Sequence, residues 1–154
     1  MRIYVDSSAL VAVYVSERFS KTARSVVRGA GQVPFTALHQ LEVRNGFELL
    51  VGRGLITKDE CSAIQGQLQD DLENQRLVEV SLDFDRVFVD AIELSRLHTA
   101  RFLSRSLDLL HVAAAHVALC TEFVSADDRQ LAVAKISGLH AVDIKRRVRR
   151  RTAR

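Results

Sequence analysis

Ile3-Tyr4-Val5-Asp6-Ser7-Ser8-Ala9-Leu10-Val11 lies almost at the start of the chain, and its reading decides the architecture. Ile3, Tyr4 and Val5 are β-branched or aromatic and read as a short buried strand. Asp6 breaks the apolar run. Ser7 or Ser8 then caps a helix to about Glu17, with Leu10, Val11, Tyr14 and Val15 at helical spacing. Working outward, the same alternation continues. Gln32 to Phe35 reads as a second strand, and no element is assigned between it and Glu17. Thr36 caps a helix carrying Leu38, Leu41, Phe47, Leu49 and Leu50, which Gly52 and Gly54 stop. Thr57-Lys58-Asp59-Glu60 is a capping-box pattern and opens the next helix, with Cys61, Ile64, Leu68 and Leu72 on one face.

Residues 77–82 read as a third strand. Asp83 caps a helix with Val87, Phe88, Ala91, Ile92 and Leu94, followed by a polar segment from His98 to Arg105. Ser106 caps a helix to about Leu119. Glu122-Phe123-Val124-Ser125 is the fourth strand, residues 130–137 are helical with Gly138 as the stop, and residues 139–144 are a last strand. Strands separated by helices argue an α/β fold with a parallel sheet and helices on both faces. In such folds ligands bind beyond the carboxyl ends of the strands.

A chain of 154 residues is expected to form one domain, and 47% hydrophobic residues is a normal globular share that excludes a disordered body. Cys61 and Cys120 lack metal-binding spacing and read as reduced core residues of a cytoplasmic protein. No secretory signal is visible, because Asp6 interrupts the first apolar run. The longest near-apolar stretch, residues 112–120, is too short to span a bilayer. The net charge of +3 conceals an asymmetry: residues 145–154 hold seven Lys or Arg and no acid, leaving 15 basic against 19 acidic residues in the body. The body, residues 1–144, is therefore a mildly acidic domain able to host a cation. The tail, 145–154, reads as a flexible basic segment, either a handle for a polyanion or simply solvated.

Four acids stand where the chemistry of a parallel sheet belongs. Asp6 follows the first strand and Asp127 follows the fourth, so parallel packing brings both to one edge. Glu42 lies in the second turn of the helix after the second strand. Asp108 lies in the first turn of the helix before the fourth strand, inside the nearly apolar Leu107-Asp108-Leu109-Leu110-His111-Val112-Ala113. Each has an ordinary reading: Asp6 and Asp108 can serve helix N-termini, Glu42 can be solvated, and Asp127 can belong to a turn. As a set they repel one another unless a cation neutralises them. Oxygen-only ligation suits Mg²⁺ or Mn²⁺ rather than Zn²⁺, and such ions act on phosphate groups. The pattern suggests phosphodiester hydrolysis without a protein nucleophile.

The segments Ile3 to Leu10, Leu41-Glu42-Val43-Arg44, residues 106–114 and Phe123-Val124-Ser125-Ala126-Asp127-Asp128-Arg129-Gln130-Leu131 carry a resemblance. Together, over about residues 1–144, the chain resembles PIN-domain nucleases, and more narrowly the VapC-like toxins of toxin–antitoxin pairs. The resemblance implies a three-layer sandwich around about five parallel strands and Mg²⁺- or Mn²⁺-dependent endoribonuclease activity. It places the acidic catalytic residues at Asp6, Glu42, Asp108 and Asp127, with Asp6, Asp108 and Asp127 as metal ligands. Ser125 falls on a hydroxyl position beside the last acid, and Ser7 is a weaker supporting residue for which helix capping is the alternative. Asp128 can replace Asp127, but it more naturally begins the last helix. Within the segment from Arg101 to Arg105, Arg105 beside the Asp108 helix is the candidate to orient RNA phosphates, with a solvated loop as the alternative. A small antitoxin and a homodimer are the implied partners.

His39 and His111 lie one helical turn from Glu42 and Asp108 and are read as structural or supporting, since a metal makes a histidine base unnecessary. His98, His116 and His140 have no spacing partner, Tyr4 and Tyr14 read as core, and no aromatic platform for stacking RNA is evident. Two rival functions are a catalytically inactive PIN-like scaffold, which the complete acid set argues against, and a phospho-receiver-like module. The latter needs an acidic pair before the first helix, where Asp6 stands alone.

Overall fold

Among the described residues, five short parallel strands occupy the middle and seven helices cover them. In chain order the elements are β1 (Ile3–Val5), α1 (Ser7–Tyr14), α2 (Ser20–Gly29), β2 (Val33–Phe35), α3 (Ala37–Gly52), α4 (Lys58–Glu73), β3 (Leu77–Glu79), α5 (Phe84–Phe102), α6 (Ser106–Val117), β4 (Glu122–Ser125), α7 (Asp128–Ile136) and β5 (His140–Asp143). These are the features of a computed structural model that describes residues 1–146. Residues 147–154, most of the expected basic tail, lie outside the described residues. Lys145 and Arg146, also assigned to that tail, pair with Asp128 and Asp143 of the body.

Strand alternation builds the three layers. Ile3, Val5 and Val124 point to one face, where α1 to α4 contribute Leu10, Ala23, Val43, Phe47, Cys61 and Leu68. Tyr4 and Phe123 point to the other, where α5, α6 and α7 contribute Val87, Val112, Ala113 and Val133. Successive strand residues face opposite ways, so this three-residue β1 fills two cores. Both cysteines are buried and free. Among the described residues no helix is long and apolar enough to cross a membrane.

The strands form two hydrogen-bonded groups, β1-β4-β5 and β2-β3, each parallel. The sequence predicted one parallel sheet, and the break between β1 and β2 has a local cause. The Asp6 N–H donates to Val124 O, so by alternation the Val5 backbone faces the opposite side, toward β2. The Val33 N–H and the Phe35 carbonyl serve β3, which turns Pro34 toward β1. Proline has no N–H to offer there. The Val5 carbonyl instead accepts from His39 Nε2 at 2.8 Å. An imidazole from α3 thus replaces a rung of the ladder.

Several boundaries differ from the sequence reading. Asp6, not Ser7 or Ser8, caps α1, accepting from the Ala9 N–H. Arg105, not Ser106, is the N-cap of α6, and Asp108 supplies the acceptor for its N–H. Helix α2 had no assignment. Its apolar residues Ala23, Val26 and Val27 are few and set among charges, but they fall on one side and pack into the core. The polar segment from His98 continues α5 to Phe102, because no Gly or Pro interrupts it. The helix ends only at Leu103, which adopts the left-handed conformation (φ 54°). Phe88 and Ile92, read as part of the apolar face of α5, are exposed.

Candidate active site

The carboxyl ends of β1 and β4 and the starts of α1, α6 and α7 enclose a cavity of about 160 Å³. It is lined by Asp6, Ser7, Ser8, Glu42, Arg105, Asp108, His111, Asp127 and Gln130. All four acids singled out in the sequence border it, together with Ser7 and Arg105. Ser125 lies behind the wall and reaches the site through Asp6.

Asp6 is the most enclosed of the acids, 2% exposed. As N-cap of α1 it accepts from the Ala9 N–H (2.8 Å), and its Oδ2 accepts from Ser8 Oγ (3.0 Å) and Ser125 Oγ (2.7 Å). Burial holds its carboxyl above the usual range despite these bonds. Ser125 Oγ also accepts from the Asp127 N–H at 2.9 Å, so one buried hydroxyl ties two of the acids together. Asp127 caps α7, its Oδ1 accepting from the N–H groups of Arg129 and Gln130. Asp128 is exposed, pairs with Lys145 and does not line the cavity, in keeping with its place as the first residue of α7.

Asp108 Oδ2 accepts from the Arg105 N–H and Nε, both at 3.3 Å, and Oδ1 accepts from Gln130 Nε2 at 2.9 Å. The Arg105 guanidinium is two-thirds exposed and also stands 3.8 Å from Asp127 Oδ2, at the mouth of the cavity. Helix α3 brings Glu42 from the other side. Its Oε2 accepts from Ser7 Oγ (2.9 Å) and from His111 Nε2. Burial raises the Glu42 carboxyl, but the His111 and Ser7 contacts outweigh it and hold the group below the usual range.

Behind Glu42 lies a buried polar chain. Tyr4 Oη meets His111 Nδ1 at 2.9 Å. A carboxylate can only accept, so His111 presents an Nε2–H to Glu42 while its Nδ1 pairs with Tyr4 Oη. His39 Nδ1 accepts from the Thr36 N–H (2.9 Å) and its Nε2–H donates to Val5, which fixes it as a neutral ring. Burial pushes its pKa down to about 3. His39 is thus structural, while His111 borders the cavity and braces Glu42. The sequence reading missed Gln130 altogether. Its position three residues after Asp127, in the first turn of α7, was the available signal.

The donor set fits a hard divalent cation: Asp6, Asp108 and Asp127 offer oxygen alone. Among the described residues, however, no three His, Cys, Asp or Glu side chains come close enough to hold an ion between them. A cavity of this size has room for several water molecules.

A family model for the PIN domain matches residues 3–136. No curated protein matches the sequence. Solved structures that resemble the chain include three from bacteria. VapBC2 from Rickettsia felis bound to a DNA fragment from their promoter has a TM-score of 0.63 and 14% identity, covering 93% of this chain and 98% of that one. FitAcB from Neisseria gonorrhoeae has a TM-score of 0.62 and 12% identity, covering 93% and 98%. A toxin–antitoxin complex from Klebsiella pneumoniae has a TM-score of 0.61 and 14% identity, covering 94% and 98%. At these identities the structural likeness speaks for the fold, and it agrees with the layers described above. With the family match running from β1 to the end of α7, the chain belongs to the PIN domain family.

Proposed function

We propose that the protein is a Mg²⁺- or Mn²⁺-dependent endoribonuclease and the toxin of a toxin–antitoxin pair. The observation that carries the reading is the meeting of Asp6, Glu42, Asp108 and Asp127, from four stretches of sequence, around one small cavity. Asp6, Asp108 and Asp127 would hold the cation, which when bound supplies an activated water and stabilises the charge that develops on the phosphate. Asp6 and Asp127 are held in register by Ser125, so their oxygens need little reorganisation. Glu42, ionised at neutral pH and fixed by Ser7 and His111, orients the water that attacks the phosphorus. Arg105 at the mouth meets the phosphate backbone.

The antitoxin is inferred from the likeness to toxin–antitoxin complexes. Such a partner would silence the enzyme by covering the acidic cavity. RNA as the substrate, a homodimer, a cytoplasmic location, a nuclease domain ending at residue 144 and a polyanion-binding tail at 145–154 belong to the same reading.

The test is direct. Purified protein, shown to be folded by circular dichroism, is incubated with RNA in Mn²⁺, in Mg²⁺ and in EDTA. Cleavage with either metal but not in EDTA, reduced more than about a hundredfold by Asp108→Asn, supports the reading. RNA left intact by the native protein in both metals overturns it.

A further inference from the structure

Gln130 is 4% exposed and borders the acidic cavity. Its two polar ends have different fates. Nε2 donates to Asp108 Oδ1 at 2.9 Å, and because a carboxylate accepts only, this contact fixes which end of the amide is which. The other end, Oε1, is buried and meets no donor. A buried carbonyl without a partner costs about 1–3 kcal/mol. In a polar cavity, such an atom points to a partner that is not part of the chain.

No donor of the described chain reaches it. Ser7 and His111 serve Glu42, Ser8 serves Asp6, and Arg105 gives its Nε to Asp108 and turns the rest of its guanidinium toward Asp127 at the mouth. The remaining walls are carboxylates, which offer no hydrogen. The partner is therefore a donor drawn in by negative charge. Water in the hydration shell of a divalent cation is strongly polarised and is such a donor. Mg²⁺ and ions like it keep several waters when few carboxylates touch them.

We infer that Gln130 is a positioning residue for a hydrated divalent cation: its Nε2 sets the Asp108 carboxylate, and its Oε1 accepts from a water of the ion's shell. The inference rests on the cation-dependent reading above and deepens it. Groups that hydrogen-bond the ligands of a metal commonly change its affinity by about 10–100-fold.

Calorimetric titration of the full chain with Mn²⁺ tests it, using native protein, Gln130→Met and Gln130→Glu. Metal-free melting curves of all three confirm that each is folded. Methionine removes both polar ends, and Mn²⁺ binding weakens at least about tenfold. Glutamate loses the donor to Asp108 but keeps an oxygen facing the shell and adds charge, so it binds Mn²⁺ at least as tightly as native. Equal affinity for native and Gln130→Met overturns the inference and leaves the cation reading standing. Equal weakening in both variants also overturns it, since Gln130 then acts only through its Nε2. If the native chain binds no Mn²⁺, the cation reading fails and the inference falls with it, an outcome visible before any variant is compared.

Discussion

Replacing Ser125 by alanine probes the link between the two acids that β1 and β4 deliver. The side chain is fully buried, and its single oxygen does two jobs, donating to Asp6 at 2.7 Å and accepting from the Asp127 N–H at 2.9 Å. Removing a hydrogen bond to a charged group costs about 1.5–3 kcal/mol, and an N–H left unpaired adds about 1–3 kcal/mol. Asp6 keeps Ala9 and Ser8, so the lower ends of these ranges apply, for a total of about 2.5 kcal/mol. For a chain of this size the melting temperature then falls by about 5–10 °C. Urea unfolding in EDTA at pH 7 measures the loss, and Asp6→Asn, alone and combined, completes a double-mutant cycle. The hydroxyl and the carboxylate should couple by about 1 kcal/mol, because part of the serine's contribution needs the charge. A Ser125→Ala cost below about 0.5 kcal/mol, or strict additivity with Asp6→Asn, would refute the reasoning.

Three other outcomes follow from the same geometry. Burial holds the Asp6 carboxyl above its usual range, so its contribution to stability is present in acid and lost as pH rises through the raised value. Asp6→Asn should therefore unfold no more easily than native in EDTA at neutral pH, while cleaving RNA more than about a hundredfold more slowly. The His39 pKa is depressed to about 3, so its contribution is present above the ordinary histidine range and is lost as pH falls toward 3. Native stability measured against His39→Gln should drop by up to about 1.4 kcal/mol per pH unit below pH 6, and parallel curves would contradict this assignment. Arg105→Ala should weaken RNA binding and lower the dependence of log K on log salt by about one, as measured by fluorescence anisotropy with Ca²⁺ replacing the active metal; an unchanged slope would remove Arg105 from the substrate path.

Much of this was legible in the sequence. The positions of β1 and β4 followed from short β-branched runs that end at an acid or a turn, and Gly54 and Gly138, both at positive φ, marked the stops of α3 and α7. Asp6 and Asp108 were legible because they interrupt apolar runs, and Asp127 because it follows a strand. What stayed hidden depended on tertiary detail. Helix α2 is held by packing on α1 rather than by its own apolar content. The end of α5 carries no breaker, so the chain's reversal at Leu103 left no mark on composition. Gln130 looked like any polar residue in a first turn, and only the folded arrangement sets it between Asp108 and Asp127. The role of His111 turned on the distant Tyr4 and Glu42, which no local spacing could connect to it.

The seam where Pro34 and His39 replace a backbone rung has a consequence for how such an enzyme diversifies. Glu42 rides on α3, which is attached to β1 across a side-chain contact rather than a continuous ladder. Register along a ladder moves only in whole-residue steps, each of which inverts a strand's faces. A joint made by one ring and its packing can be retuned by fractions of an ångström. Substitutions along that joint can therefore adjust the reach between Glu42 and the acids that follow the neighbouring strands, while the strand pairings themselves stay untouched.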